Sequence, residues 1–441
     1  MNVSLVKPTS DRASGESFAA ARSRLPGSGV VSEVREAAFA EFSKRGLPHR
    51  RVEEWKYTDL RVMLREVAPL AVNPDEAALN RAAAAVASLD VTDTCKLVLV
   101  DGSFAPHLSD VASLEAGVRL HTLREILETA DNSTRADLLR TNATSDVMVA
   151  LNAAMATDGV VLGVDNGVAL KRPIHIVHIA TQSNAASFTR SLIKIGEGAQ
   201  VTLVESFVAA PDAKSYQVHD ALVSWAGDGA NVHHVRLVED ARDASNISTA
   251  IVTLGAKTQF NSFSLTSGSA LSRYQAFVRF GGEEAVANIN GVNLLKDRQH
   301  GDTTLVLDHM VPHCDSREVF RAVVDDRAHS VFQGRINVHP DAQKTDAKMM
   351  TRALLLSDEA EADNKPELEI FADDVQCGHG ATTGALDDSL LFYLRARGLP
   401  EKEAQALLIQ AFVGEAMESI ADEQLRETAV ATAARWLATR G

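Results

Sequence analysis

The spacing of apolar residues changes three times along the chain: an aperiodic start, a helical stretch, a long run of short alternating segments, and a helical tail. Residues 1–29 are rich in Ser, Ala, Gly and Arg without a period, the composition of a mobile arm. From Val31 to Arg45 apolar positions recur at helical intervals (Val34, Ala37, Ala38, Phe42) and end at Gly46 with Pro48 beyond, which predicts a helix and its stop. Asn73 as N-cap, Pro74 at the first position and Asp75 and Glu76 in the first turn predict another, continuing to about Leu89. Lys96 to Val100 before Asp101-Gly102 reads as a strand and turn, with helices expected over Thr122 to Ala130 and Ser133 to Met155.

After Gly159 the pattern becomes short runs of Val, Ile, Thr and Phe bounded by Gly, Asp or Asn. Two of them open alike: Gly196-Glu197-Gly198 and Gly227-Asp228-Gly229 each precede an alternating strand, with weaker echoes at Gly255 and Gly281. Successive spacings are 31, 28 and 26 residues. A drifting period of strands without intervening helices predicts β-coils, each able to bury its apolar face only against its neighbours. A parallel β-helix fits best, with a large antiparallel sandwich as the alternative. Helical signals return after Thr383: Asp387 and Asp388 cap a segment ending at Gly398, and Pro400 opens the next helix. That helix carries Leu407, Leu408, Ile409, Phe412, Val413, Met417 and Ile420, more apolar surface than one face in contact with a core requires, so a bundle or a partner must cover the rest. A last helix is expected over Asp422 to Arg440.

The expected organisation is an arm over 1–29, a mainly helical region over 30–158, a β-helix core over 159–385 and a helical region over 386–441. A formal charge of -15 argues against nucleic acid or an anionic membrane as a partner. Three scattered cysteines, Cys95, Cys314 and Cys377, do not make a disulfide framework and suit a reducing compartment. The first residues hold no apolar leader core, and a cytoplasmic protein is expected. The sequence has no G-x-x-x-x-G-K-[ST], G-x-S-x-G, H-E-x-x-H or paired C-x-x-C motif.

Candidate chemistry concentrates between Phe371 and Gly398. Cys377 and His379 are two residues apart, so on a strand both point to one side and could address one metal or cluster, although a closed site needs about four ligands. A buried thiol and a core histidine are the bland alternative. The His309 and His313 pair is interrupted by Pro312 and is not expected to converge, and His233 and His234 should face opposite sides of a strand. For Arg51-Val52-Glu53-Glu54-Trp55-Lys56-Tyr57-Thr58, the residues themselves suggest only a turn that docks Trp55 and Tyr57 onto a core.

That last segment, together with Gln333-Gly334-Arg335-Ile336, Gln343-Lys344-Thr345-Asp346, the stretch Ala372-Asp373-Asp374-Val375 with Cys377, His379-Gly380-Ala381-Thr382, and Leu391-Phe392-Tyr393-Leu394 with Arg397-Gly398, resembles the SufB/SufD family of iron-sulfur cluster assembly scaffold proteins, on its SufD branch. The likeness is densest from Arg279 to Ile420. It implies a mainly β fold, a right-handed parallel β-helix (β-solenoid) core flanked by N-terminal and C-terminal helical regions. It implies a non-catalytic scaffold subunit that pairs with a SufB-like paralogue through the β-helix, or with itself in isolation, and binds a SufC-like ATPase through its C-terminal helices. ATP then enters only through that partner, and a transient iron-sulfur cluster or iron is shared with SufB. His379 matches the family's interface histidine and is the expected metal ligand, with Cys377 beside it; Leu408 and Phe412 are the expected ATPase-docking residues. The SufB branch has a glutamate after the matching histidine and a cysteine in an upstream strand, where this chain has Gly380 and no cysteine between Cys314 and Cys377. A β-helix carbohydrate-active enzyme and a homomeric metal-binding protein are the competing readings.

Overall fold

The computed structural model describes residues 17–91, 93–129, 137–140 and 144–439. Four helices, α1 (Val30–Arg45), α2 (Glu76–Ala87), α3 (Leu123–Thr129) and α4 (Val147–Met155), dominate the first part, together with strands β1 (Cys95–Val100), β2 (Ser103–Phe104) and β3 (Val118–Thr122). The chain then climbs through β4 (Val160–Val164), β5 (Ile174–Ala180), β6 (Ala186–Ile195), β7 (Gln200–Ala209), β8 (Gln217–Ala226), β9 (Asn231–Val238), β10 (Ser245–Leu254) and β11 (Gln259–Thr266). It continues through β12 (Leu271–Phe280), β13 (Val286–Leu295), β14 (His300–His309), β15 (Asp315–Val324), β16 (His329–Val338), β17 (Asp346–Leu355), β18 (Glu361–Ile370) and β19 (Gln376–Gly384). Helices α5 (Asp388–Ala396), α6 (Glu401–Met417) and α7 (Glu423–Ala438) close the chain. No helix among the described residues is long and apolar enough to cross a membrane.

From β4 onward even-numbered strands form one sheet and odd-numbered strands the other. From β5 onward each pairs in parallel with the strand one coil earlier, while β4 meets β3 antiparallel at the start of the stack; the antiparallel sandwich is excluded and the core is a parallel β-solenoid. The repeat of the sequence is this register: Gln200, Asn231, Gln259, Val286, Asp315, Asp346 and Gln376 lie opposite one another in turn. The glycines of the two matching turns explain the motif. A Cβ on Gly227 would sit 2.8 Å from the Glu197 backbone nitrogen of the coil below, and Gly198 and Gly229 take φ of +63° and +66°.

Alternation then divides each strand between two environments. Residues such as Leu203, Val232, Ile289 and Leu307 fill the lumen. Their neighbours face outward and are covered by helices, on different sides for the two termini. Leu192, Val223 and Ile251 of the even sheet pack with Val31, Leu123 and Val149 from α1, α3 and α4. Val235, Leu265, Leu294 and Val323 of the odd sheet pack with Ile409, Val413 and Met417 of α6 and with Ala429 and Trp436 of α7. The apolar excess of α6 is thus used largely against a sheet.

Several expectations shift. Residues 1–16 of the expected arm lie outside the described residues, but 17–29 are not free: Phe18 and Ala21 are buried, and Phe18 stacks on Phe39 at 4.1 Å. Helix α2 is capped by Asp75 rather than Asn73, because the Asp75 carboxylate accepts from the Ala78 amide at 2.8 Å. The helix expected over Ser133 to Met155 is described as such only from Val147, where Asp146 accepts from the Met148 and Val149 amides; residues 130–136 and 141–143 lie outside the described residues. His309 is buried, stacked on Phe280 and bonded to Ser316, whereas His313 occupies a turn at φ +61°, so the two do not converge.

Candidate functional site at the open end of the solenoid

Strands β18 and β19 are the last of their sheets, each paired on one side only. Most of their residues are half-buried or exposed, in contrast to the central strands. Pro366, which lacks an amide hydrogen, sits in β18, a position suited to an edge strand. An unpaired edge presents a row of amides and carbonyls ready to bond another strand. The ladder register fixes where the candidate ligands stand. Ala287, Ser316, Ala347 and Cys377 form one column across β13, β15, β17 and β19, and Ile289, Glu318, Met349 and His379 the next but one. Ala287, Ile289, Ala347 and Met349 belong to the lumenal core, and Cys377 packs against it. The two columns therefore carry Cys377 and His379 on the lumen-facing side of the last rung, with Cys377 half-buried and His379 exposed.

Burial pushes the Cys377 thiol up, so the sulfur is a protonated thiol until a metal displaces the proton. Glu318 lies two strands in from His379, beyond Met349 in the same column; it is buried, and desolvation pushes its carboxyl to about 8. A cavity of about 480 Å³ lies alongside, lined among others by Arg317, Val319, Lys348, Met350, Cys377 and His379. Gly378 and Gly380 flank the imidazole. A Cβ at 378 would meet nothing within 4 Å, so the outer surface there is open to an approaching group. Among the described residues, the His, Cys, Asp and Glu side chains that converge as a group of three lie elsewhere, and His379 and Cys377 supply one nitrogen and one sulfur without a third ligand.

The dock expected at Leu408 and Phe412 looks different in space. Phe412 is half-buried against the odd sheet with the Arg321 guanidinium 5.5 Å from its ring, and Leu408 is half-buried as well. The bare apolar surface is on α5, which has no buried residue: Leu390, Phe392 and Tyr393 are 52%, 74% and 54% exposed, and Leu407 within α6 is 45% exposed. In the sequence, Phe392 and Tyr393 stand out only as part of a motif. The amphipathic pattern of α5 was a usable signal, but nothing in it shows that the apolar side faces outward.

The segment from Arg51 to Thr58 also acquires a role. Trp55 is buried, its indole N–H donates to Asp146 at 2.7 Å, and the Arg273 guanidinium lies 3.8 Å from the ring centroid. Arg273 also donates to the Glu54 carbonyl and pairs with Asp302, which accepts from Thr58. The motif bolts the N-terminal region to the even sheet.

A parallel β-solenoid of two sheets with helices on both outer faces, a final rung with unpaired strand edges that carries Cys377 and His379, and a helix with an exposed apolar side define the architecture. Residues 178–412 match the family described as "SUF system FeS cluster assembly, SufBD core domain", and residues 19–176 match "SufBD protein N-terminal region". The chain is 31% identical over 393 residues to the iron-sulfur cluster assembly protein SufD of Escherichia coli, covering 88% of this chain and 89% of that one. It is also 31% identical over 402 residues to an iron-sulfur cluster assembly SufBD family protein of Synechocystis (89% and 88%), and 24% identical over 429 residues to "Protein ABCI7, chloroplastic" of Arabidopsis thaliana (94% and 88%). The chain belongs to the SufBD family, on its SufD branch.

Proposed function

We propose that this chain is a cytoplasmic, non-catalytic scaffold subunit of a SUF complex, on which an iron-sulfur cluster or its iron is held as cargo before transfer. Its relatives are named for assembly, not for a catalysed reaction. The observation that carries the reading is the last rung: β18 and β19 leave two unpaired edges, and β19 carries His379 and Cys377 with no third ligand converging on them among the described residues. A SufB-like paralogue that abuts this end would pair the edges and bring the missing ligands, as donated strands do elsewhere. His379 is the principal ligand, because its imidazole is exposed on the last rung while the Cys377 thiol is half-buried. Imidazole in place of thiolate leaves a less anionic shell and a more readily released iron, as a transient site requires.

The second contact is the ATPase. Leu390, Phe392 and Tyr393 on α5 with Leu407 form the exposed part of the dock for a SufC-like subunit, and Leu408 and Phe412 support it from beneath. Nucleotide chemistry belongs to that subunit, since this sequence contains no phosphate-binding loop. The test is co-expression with a SufB-like and a SufC-like partner, followed by anaerobic reconstitution. His379→Ala should leave the three-component complex intact and depress cluster yield. An unchanged yield would remove His379 from the ligand set, and a chain that co-purifies with neither partner would overturn the scaffold reading.

A further inference from the structure

The lumen of the solenoid is apolar over most of its length but, besides Glu318 near the open end, contains an ionisable island in its early coils. His178 on β5, Glu205 on β7 and Asp220 on β8 all point inward and are all buried. One ligand atom from each, an imidazole nitrogen and two carboxylate oxygens, lie within 4.8 Å of one another. The island is roughly 30 Å from His379, six strand spacings of about 4.8 Å from β7 to β19. It is independent of the open end.

The hydrogen bonds around the island fix which atoms face its centre. The Thr189 hydroxyl donates its single hydrogen to Asp220 at 2.5 Å, so towards His178 Nδ1, 3.4 Å away, it can only accept. His178 therefore carries its proton on Nδ1 and presents the Nε2 lone pair, and that Nε2 has no partner although the side chain is 6% exposed. Glu205 repeats the arrangement. One of its oxygens bonds His234 Nε2 at 2.8 Å, and His234 is held in turn by Ser262 at 3.0 Å, while Glu205 Oε1 is unpartnered. Each inward-facing donor thus has a polar group behind it that sets its orientation, as metal ligands do. The imidazole of His178 is further clamped by stacking on Phe207 at 4.4 Å. The nearest fixed cation, Arg236, bonds Asn246 and Ser248 through Nη2 and lies over the Phe207 and Tyr274 rings; its charge favours the ionised carboxylates, but it makes no hydrogen bond to either of them.

We propose that His178, Glu205 and Asp220 form a lumenal site for a divalent transition-metal ion, of the class of Zn²⁺ or Fe²⁺, which neutralises the two carboxylates and ties the early coils of both sheets together. One nitrogen and two oxygens suit such ions, whose bonds to these donors are about 2.0–2.2 Å. The site is enclosed, so the ion is taken up as the coils close around it.

The experiment uses the full chain carrying His379→Ala and Cys377→Ala, so that metal at the open end does not contribute. The chain is expressed with Zn²⁺ or Co²⁺ in the medium, passed over a chelating resin and assayed for bound metal, for the Co²⁺ visible spectrum and for thermal stability. One retained equivalent, a Co²⁺ spectrum without thiolate charge transfer, and loss of both in His178→Gln are expected. Glu205→Gln, nearly isosteric, gives the same reading should His178→Gln not fold. No metal in the parent, or an equivalent that survives both substitutions, overturns the proposal.

Discussion

Asp302→Ala tests the claim that the N-terminal motif is a bolt rather than a decoration. Asp302 and Arg273 are opposed residues on β14 and β12, and both side chains are fully buried. The Asp302 carboxylate accepts from Arg273, from Thr58 and, at 3.1 Å, from Thr304. Truncation leaves Arg273 charged, buried and without its counter-ion, a loss of about 3–5 kcal/mol. Asp302→Asn keeps an oxygen in place and forfeits the charge, so it should cost less, about 1.5–3 kcal/mol. Pairing Asp302→Ala with Arg273→Met removes both charges; what remains is the lost Arg273 bond to the Glu54 carbonyl, which keeps its bond from Gln333, and the lost stack on Trp55, and the double variant should cost clearly less than the sum of the two single variants. Guanidinium unfolding in a Trp225→Phe, Trp436→Phe background reads the junction through Trp55 alone. A cost below about 1 kcal/mol for Asp302→Ala, or strict additivity in the cycle, would refute the account.

Acid and base should both destabilise the fold about a maximum near neutrality. Burial holds His175, His219 and His309 down to about 3 and His300 to about 4, so the unfolded chain binds more protons below its histidine value near 6.5, and each histidine costs about 1.4 kcal/mol per pH unit on acidification. Glu318, raised to about 8 by burial, runs the other way and loses stability as pH rises from its unfolded value towards 8. Denaturation midpoints from pH 4.5 to 8 should therefore peak near 6.5, and a monotonic series would contradict the assignment. Phe392→Asp, at an exposed site, should change stability by less than about 0.5 kcal/mol while abolishing co-purification with the ATPase; Phe412→Asp should destabilise the chain itself, since its ring packs on the odd sheet. Equal loss of stability in both would show that α5 is core. Gly282→Ala should cost upwards of about 1–3 kcal/mol in thermal unfolding, because the added Cβ falls 2.0 Å from the Ala256 backbone nitrogen and the coil must shift; an unperturbed melting temperature would refute that packing.

The coil repeat was legible because it is local chemistry: glycine-bounded turns and period-two strands recur within one coil, and the stacked turn that Gly227 makes on Glu197 needs no side chain to specify it. What covers a face is a different kind of fact. The apolar residues of α6 announce burial, but only three-dimensional position shows that Ile409 and Val413 spend it on the odd sheet while α5 is left bare. The same holds inside the lumen. Glu205 shares inward parity with Val201 and Leu203, and a carboxylate at such a position is a signal that could have been read from the strand alone. Its partners could not, because His178 and Asp220 come from strands in two different sheets and meet only when the coil closes.

The open end reverses that logic. Cys377 and His379 were found from two residues of spacing, and the fold adds that they stand on the last rung of a ladder whose next strand this chain does not supply. A solenoid buries each coil with the next one, so its final coil is unfinished by construction. The polar His379 and the gap over Gly378, placed on that rung rather than on any of the coils below, are what a chain needs if its continuation is another protein carrying the remaining ligands. On the two proposals made above, the open end is finished by a partner while the lumenal island draws its three donors from a single chain, so the two are separate properties.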